Sequence, residues 1–400
     1  MKFNKIQLKE LIDYANTGAD AIQRAPIVDY DTGIKCIRIG DISNNRKYEK
    51  WGFTEITKEN YHRYKLDVGD ILIARTGSTI GISKIIKNKI NSVYNNGLIK
   101  VKVNKVRCNS KYFYYILQSK EFINYIQGIA FGTTGQPNMK INDFLKFEIN
   151  NISLEKQNKI VNILSKFDDK IEINNQTNDN LYKILEQYIK EHYYNNEFVR
   201  NGNVNDIGKI QGGYAFKSKD LLNETTNNKV LKIKNISASG VDIDNTQCVY
   251  DEVANKVDKK FLLLRGNVII AMTGAELGKT GYLYGQDYRY FLNQRVGVIR
   301  GNDKYSELYL NCLFILNDMQ NTLNSKGYGS AQPNISTSDI ENIEIPIPKE
   351  DELETFYEKC NPIYSKMILN SEQNQSLTQL RDTLLPKLMN GEIDLDKIEI

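Results

Sequence analysis

The rhythm of apolar and polar positions changes several times along the 400 residues. Short β-branched runs at 34–40 (IKCIRIG), 70–75 (DILIAR) and 98–103 (LIKVKV) are broken by Gly, Asn and Asp, which predicts strands joined by turns. A stretch at 110–127, rich in Tyr, Phe and Leu, predicts a helix. The same order returns later: VLKIKNI at 230–236, NVIIAMTG at 267–274, RVGVIRG at 295–301, then a helix at 304–325. Residues 154–195 and 350–391 carry almost no strand signal. In the first of these, Ile160, Leu164, Phe167, Ile171, Leu181, Leu185 and Tyr188 follow the alternating four-and-three spacing of a heptad seam.

The recurrence is a repeat. Gly69, Ile73, Ala74, Thr76, Gly77 and Gly81 return as Gly266, Ile270, Ala271, Thr273, Gly274 and Gly278, an offset of 197. Gln136-Pro137-Asn138 returns as Gln332-Pro333-Asn334 at an offset of 196, and IGDIS at 39–43 matches IKNIS at 233–237. So long a period excludes a solenoid and makes each copy a whole unit. The predicted fold is α+β. It has two tandem, pseudo-symmetric globular domains, at 1–150 and 203–348. Helical segments at 151–202 and 349–400 separate them and pack as an antiparallel coiled coil.

The seam of the second segment reads Phe356, Cys360, Ile363, Met367, Leu377, Arg381 and Leu384, with Arg381 the one polar exception. Two further seam positions in each helix are Asn: Asn174 and Asn178, Asn370 and Asn374. Polar seam residues cost stability and fix register. Under a pseudo-two-fold each would meet its own counterpart and close an Asn layer. The alternative is a loosely packed, solvated stretch. Pro362 and Pro386 are expected to kink or interrupt the second helix. The carboxylates Asp168, Asp169 and Glu172 read as a solvated face.

Composition narrows the function. With 40% hydrophobic and 26% charged residues the chain can bury a core. No run approaches 18 apolar residues and the first residues lack the apolar stretch of a secretory signal, so the expectation is a cytoplasmic protein without a membrane span. Five scattered Cys exclude a zinc-finger framework, and two distant His leave little for a His-based catalytic or metal site. A net charge of +4 permits nucleic acid without requiring it. The seam from 160 to 188 would span roughly 42 Å at ~1.5 Å per residue, comparable to the ~34–36 Å between DNA sites one turn apart.

Several segments resemble the specificity (S) subunit of type I restriction–modification systems. They are QGGYAFKSKDL at 211–221, GDILIARTGSTIG at 69–81, the GTTGQPN and GSAQPN turns, IEIPIP at 343–348 and the terminal LLPKLMNGEIDL. The resemblance covers essentially the whole chain. It implies two target-recognition domains, each reading half of a bipartite sequence in double-stranded DNA. It further implies that the helices dock two modification subunits, which methylate adenine with S-adenosylmethionine, and that restriction subunits can join. The S subunit itself would be non-catalytic, with no cofactor or metal of its own. The first copy departs from the pattern, with TGADAIQRAP where the second has GYAFKS, and EINNIS in place of the IPIP ending. Rival readings are a free-standing nuclease or methyltransferase, an interaction scaffold, and a recognition subunit without a partner.

Candidate contacts follow. TGAELGKT at 273–280 has one residue too few between its glycines for a phosphate loop. It and its first-copy counterpart read as Gly turns, or as holders of DNA phosphate through Thr76, Ser78, Thr79, Thr273 and Lys279. Arg75 could address guanine, although its counterpart is Met272. Gln136, Asn138, Gln332 and Asn334 offer amides suited to adenine, in turns that are equally explicable as structural. Tyr214, Phe216 and Lys217, after Gly212-Gly213, could lie against DNA or, for the aromatics, in the core. Trp51 reads as core. NPIY at 361–364 lacks the second Pro of the adenine-methyltransferase motif and sits in a predicted helix.

Overall fold

The computed structural model describes residues 4–20, 22–130, 138–194, 196, 199–237, 240–285, 287–327 and 333–397. The contacts of the chain divide it into two units, Met1–Asp168 with Thr378–Ile400, and Asp169–Leu377. The division cuts through both long helices rather than falling at their ends.

In the first unit, an antiparallel sheet runs in the order Ile12–Thr17, Leu98–Val103, Ile71–Ala74, Ser83–Ile85. A smaller sheet runs Ile27–Val28, Gly52–Thr54, Lys35–Ile37, Ser92–Tyr94, with its last pair parallel. Strand Ile71–Ala74 is buried throughout, and alternation explains why its run is wholly apolar. Ile71 and Ile73 face the helices, while Leu72 and Ala74 face the smaller sheet.

The second unit repeats the plan. Its larger sheet runs Gly208–Gly212, Val296–Gly301, Val268–Ala271, Thr280–Tyr282. Its smaller sheet runs Gln247–Cys248, Asn228–Leu231, Arg289–Leu292, Leu262–Leu263, again with one parallel pair. Val268 and Ile270 face the helices, and Ile269 and Ala271 the smaller sheet.

The helix expected at 110–127 is two, Ser110–Gln118 and Lys120–Ala130. Ser119 breaks it by taking extended backbone (ψ 145°) and accepting the Phe122 N–H with its hydroxyl at 3.2 Å. The counterpart is likewise split, into Lys304–Phe314 and Asn317–Lys326.

The long helices are Leu154–Ile189, continued by a π-helical turn Lys190–Tyr194, and Glu350–Met389. Neither Pro362 nor Pro386 interrupts the second, contrary to expectation. An interior Pro costs about 3 kcal/mol. Here buried Cys360 and Tyr364 flank one, and buried Leu385 and Leu388 the other, so packing outweighs that cost. None of the described helices is long and apolar enough to cross a membrane.

Within the second unit the two helical segments run antiparallel and the Asn residues close a layer, but not as expected. The Asn174 amide donates to Asn374 Oδ1 at 2.8 Å and Gln373 Oε1 at 2.9 Å. Asn370 donates to Asn178 Oδ1 at 2.8 Å, and Asn178 to the Met367 carbonyl at 3.0 Å. Each Asn thus meets the other's counterpart. The local two-fold falls at Gln176 and Glu372, midway between the Asn of each helix, so counterparts sit two residues, about half a turn, to either side of it. Asn174 and Asn370 are buried, which excludes a solvated stretch.

In the first unit Asp168 is not part of a solvated face. It accepts from Arg381 Nη1 at 2.7 Å and from the Tyr115 hydroxyl. Burial works against the charge on Arg381, and the Asp168 and Asp382 carboxylates outweigh it, leaving the guanidinium more basic than usual. The seam exception therefore has a partner. At the equivalent positions the second unit has Leu185 and Tyr364, both buried.

Candidate functional site

In each unit, four separate segments meet at one end of the larger sheet. In the first, the chain leaves Ile71–Ala74 into a turn whose Gly77 and Gly81 have φ of 83° and 89°. Only Gly takes such angles freely, which explains the G-x-x-x-G spacing. Gly81 N–H closes the turn on the Ala74 carbonyl at 2.9 Å. Asn138 bridges to Thr76, and Met139 N–H donates to the Arg75 carbonyl at 2.7 Å. Arg75 N–H donates to the Gly97 carbonyl at 2.9 Å, and Asn96 N–H to that of Ala19 at 2.8 Å.

The second unit rebuilds this from its own residues. Gly274 and Gly278 have φ of 81° and 77°. Asn334 bridges to Thr273, and Ile335 N–H donates to the Met272 carbonyl at 3.0 Å. Met272 N–H donates to Arg295 O at 3.1 Å, and Gln294 N–H to Tyr214 O at 2.9 Å. The repeated Gly turn and the repeated Asn, 62 residues apart in the first copy (Thr76 to Asn138), are thus held together in both units.

Arg75 and Asn138 are brought into contact. Nε and Nη2 of Arg75 donate to Asn138 Oδ1 at 3.4 and 3.1 Å. A neutral acceptor orients the guanidinium without cancelling its charge, and the remaining N–H groups stay available to an incoming acceptor. Ser78 is exposed and Thr76 and Thr79 are half-buried on the first unit's rim, and Thr273 is half-buried on the second unit's. Lys279 is already paired, its Nζ 2.8 Å from Glu276. Gln136 and Gln332 lie outside the described residues.

The aromatic candidates separate. Of the two alternatives for Phe216 the structure shows the core one: its ring is buried among Val230, Val249, Ala254 and Phe291. Tyr214 is half-buried, with its ring 4.9 Å from that of Phe216 and 5.4 Å from that of Phe261. Lys217 is exposed. Trp51 is core, its Nε1 donating to the Arg46 carbonyl at 3.0 Å. NPIY lies inside the second long helix, where Tyr364 donates to the Gly266 carbonyl at 2.7 Å.

The sequence reading missed one part of the rim, the turns at 95–97 and 293–295. Their signal is the shared Asn after an aromatic-containing strand, in SVYNNGL and RYFLNQRV. They resolve the mismatch of Arg75 with Met272. The backbone pair Arg75–Gly97 in the first unit is Met272–Arg295 in the second, so each rim carries one Arg, contributed from opposite partners of the same hydrogen bond. The first copy's counterpart of Gly213-Tyr214 is also visible. Gly18-Ala19 bridges to Asn95 as Tyr214 bridges to Asn293.

The family model described as type I restriction modification DNA specificity domain matches residues 2–183 and again 196–379. The type I restriction enzyme MjaIX specificity subunit of Methanocaldococcus jannaschii is 27% identical, over 98% of this chain and 94% of that protein. The HindI specificity subunit of Haemophilus influenzae is 23% identical, over 89% and 94%. The crystal structure of the type I restriction-modification S subunit from M. genitalium shares the fold, with TM-score 0.53 and 19% identity over 97% of this chain and 96% of that one. Two matches to one domain, covering nearly the whole sequence and coinciding with the internal repeat, place this chain in the type I restriction modification DNA specificity domain family.

Proposed function

We propose that this chain is the sequence-recognition subunit of a type I restriction–modification complex. Each unit reads one half of a bipartite DNA target, and the chain carries the address rather than the chemistry. Adenine methylation is performed by two partner modification subunits using S-adenosylmethionine, and cleavage by restriction subunits where these join. The observation that carries the reading is the doubled rim, a half-exposed polar edge rebuilt from the same backbone hydrogen bonds with different side chains in each unit. A constant frame with variable side chains is what two readers of different half-sites require. Arg75, Arg295 and the Asn amides supply donors for base edges, and the backbone N–H groups, Ser78 and the Thr hydroxyls supply phosphate contacts.

The test is a long-read map of N6-methyladenine in the host genome with and without this gene. Loss of one bipartite methylated motif on deletion is expected, and the motif itself gives both half-sites and their spacing. An unchanged methylome refutes the directing role.

A further inference from the structure

The rim does not account for a second feature of the second unit. A cleft of about 370 Å³ opens between the margin of its larger sheet and the segment at 259–264, lined by Lys209, Gln211, Lys259, Lys260, Leu262, Leu264 and Arg300. Lys209 and Arg300 face each other across paired strands. Arg300 is held in place by neutral acceptors, Asn267 Oδ1 at 2.7 Å and the Leu262 carbonyl at 2.9 Å. Glu307 lies behind it, bonded to Asn267 at 3.2 Å. Lys209, Lys259 and Lys260 are exposed, and among the described residues none of them forms an ion pair.

The internal repeat supplies the comparison. In the first unit the same place holds Arg63, Lys65, Lys100 and Lys102, but also two acids, Asp67 and Asp70. Lys102 lies 2.9 Å from Asp70 and 3.5 Å from Asp67, Lys100 lies 3.7 Å from Asp70, and Lys65 lies 3.9 Å from Asp67. At the positions of those acids the second unit has Leu264 and Asn267. At one fold position, then, three of the four basic residues are paired to acids in the first copy, whereas the exposed lysines of the second have no such partner among the described residues.

We infer that this cleft, centred on Lys209, Lys259, Lys260 and Arg300, is a binding site for the phosphate backbone of duplex DNA, present in the second unit alone. The inference rests on the DNA-recognition reading above. Unpaired lysines around a preoriented Arg suit a polyanion, and exposed Leu264 offers an apolar wall to the sugars. Position selects DNA over an acidic protein. The strand that carries Lys209 leads directly to Tyr214 on the rim, five residues or about 17 Å away, so a duplex seated on the rim passes the cleft. Lys260 connects the two, with its Nζ 5.1 Å above the Phe261 ring that contacts Tyr214.

The experiment measures fluorescence anisotropy of the full chain, in complex with its modification subunits, on random-sequence duplex between 50 and 200 mM salt. The variants are Lys209→Ala/Lys259→Ala/Lys260→Ala and, separately, Leu264→Asp, which restores the first copy's acid at an exposed position. The triple variant should lower the slope of log K against log salt by roughly 2 to 3, so that the loss across this salt range shrinks by roughly 40-fold; Leu264→Asp should lower it by roughly 1. Slopes unchanged in both variants overturn the inference while leaving DNA recognition intact. Release of a modification subunit with an unchanged slope overturns it in favour of a protein contact. An unaltered complex that binds no duplex overturns the function reading itself.

Discussion

Arg381→Leu tests whether the polar exception in the first unit's seam is an ion pair that the fold depends on. The substitution installs the residue type that the second unit uses at the equivalent position, Leu185. It leaves Asp168 with the Tyr115 hydroxyl alone. The two side chains are 18% and 24% exposed, between a surface pair and a buried one. Surface pairs contribute about 0–1 kcal/mol, and breaking a buried pair costs about 3–5 kcal/mol. Partial exposure places the cost near 2 kcal/mol. For a unit of this size that lowers the melting temperature by about 4–8 °C. Asp168→Leu should cost less, because the Arg381 guanidinium keeps the Asp382 carboxylate, 2.8 Å from its Nη2. The double variant should cost clearly less than the two singles together, with a coupling of about 1–2 kcal/mol. Urea unfolding followed by circular dichroism, run on all four proteins, gives the cycle. Strictly additive singles, or a neutral Arg381→Leu, would refute the argument and make the Arg an incidental occupant of a tolerant position.

Asn174→Leu should cost about 1–3 kcal/mol by removing the amide that donates to Asn374 and Gln373. Replacing Asn174, Asn178, Asn370 and Asn374 together by Leu should recover stability but loosen register, which disulfide trapping between cysteines introduced in the two helical segments would report. A Cβ at Gly213 would stand 2.1 Å from the Asn293 carbonyl oxygen, and one at Gly18 2.3 Å from that of Tyr94. Either Gly→Ala change should cost more than about 2 kcal/mol in chemical denaturation. Burial pushes the thiols of Cys36, Cys108 and Cys360 up to about 12, so the native chain should leave a thiol reagent unconsumed at pH 8 and release all five thiols in denaturant. Because these folded-state values are raised, their contribution to stability is complete below the unfolded thiol pKa and is lost as pH climbs from there towards 12. Exchanging residues 203–348 for another recognition unit should change one half of the methylated motif, and a change in both halves would sink the two-reader scheme.

By itself the sequence determined the repeat, the α+β texture of each copy, the helical segments and the seam, because these depend on periodicity and on local preferences that one strand or helix expresses alone. The Gly spacing of 77–81 and 274–278 likewise announced its own turn, since only Gly takes φ near 80° freely. What failed was whatever depends on a partner distant in the chain. Asp168 looked solvated because Arg381, 213 residues away, is invisible to local pattern. The Asn pairing came out crossed because the seam gives positions along each helix but not where the local two-fold cuts them. Phe216 stayed open between surface and core because burial is decided by the sheet that folds over it. The exchange of rim arginines, Arg75 for Arg295, could not be read by aligning one copy on the other, because alignment pairs Arg75 with Met272 and Gly97 with Arg295 but does not show that the two positions are hydrogen-bonded neighbours. Tertiary structure alone decided these, since it fixes which groups lose water together, and a charge or an amide has its function set by what it faces once that water is gone.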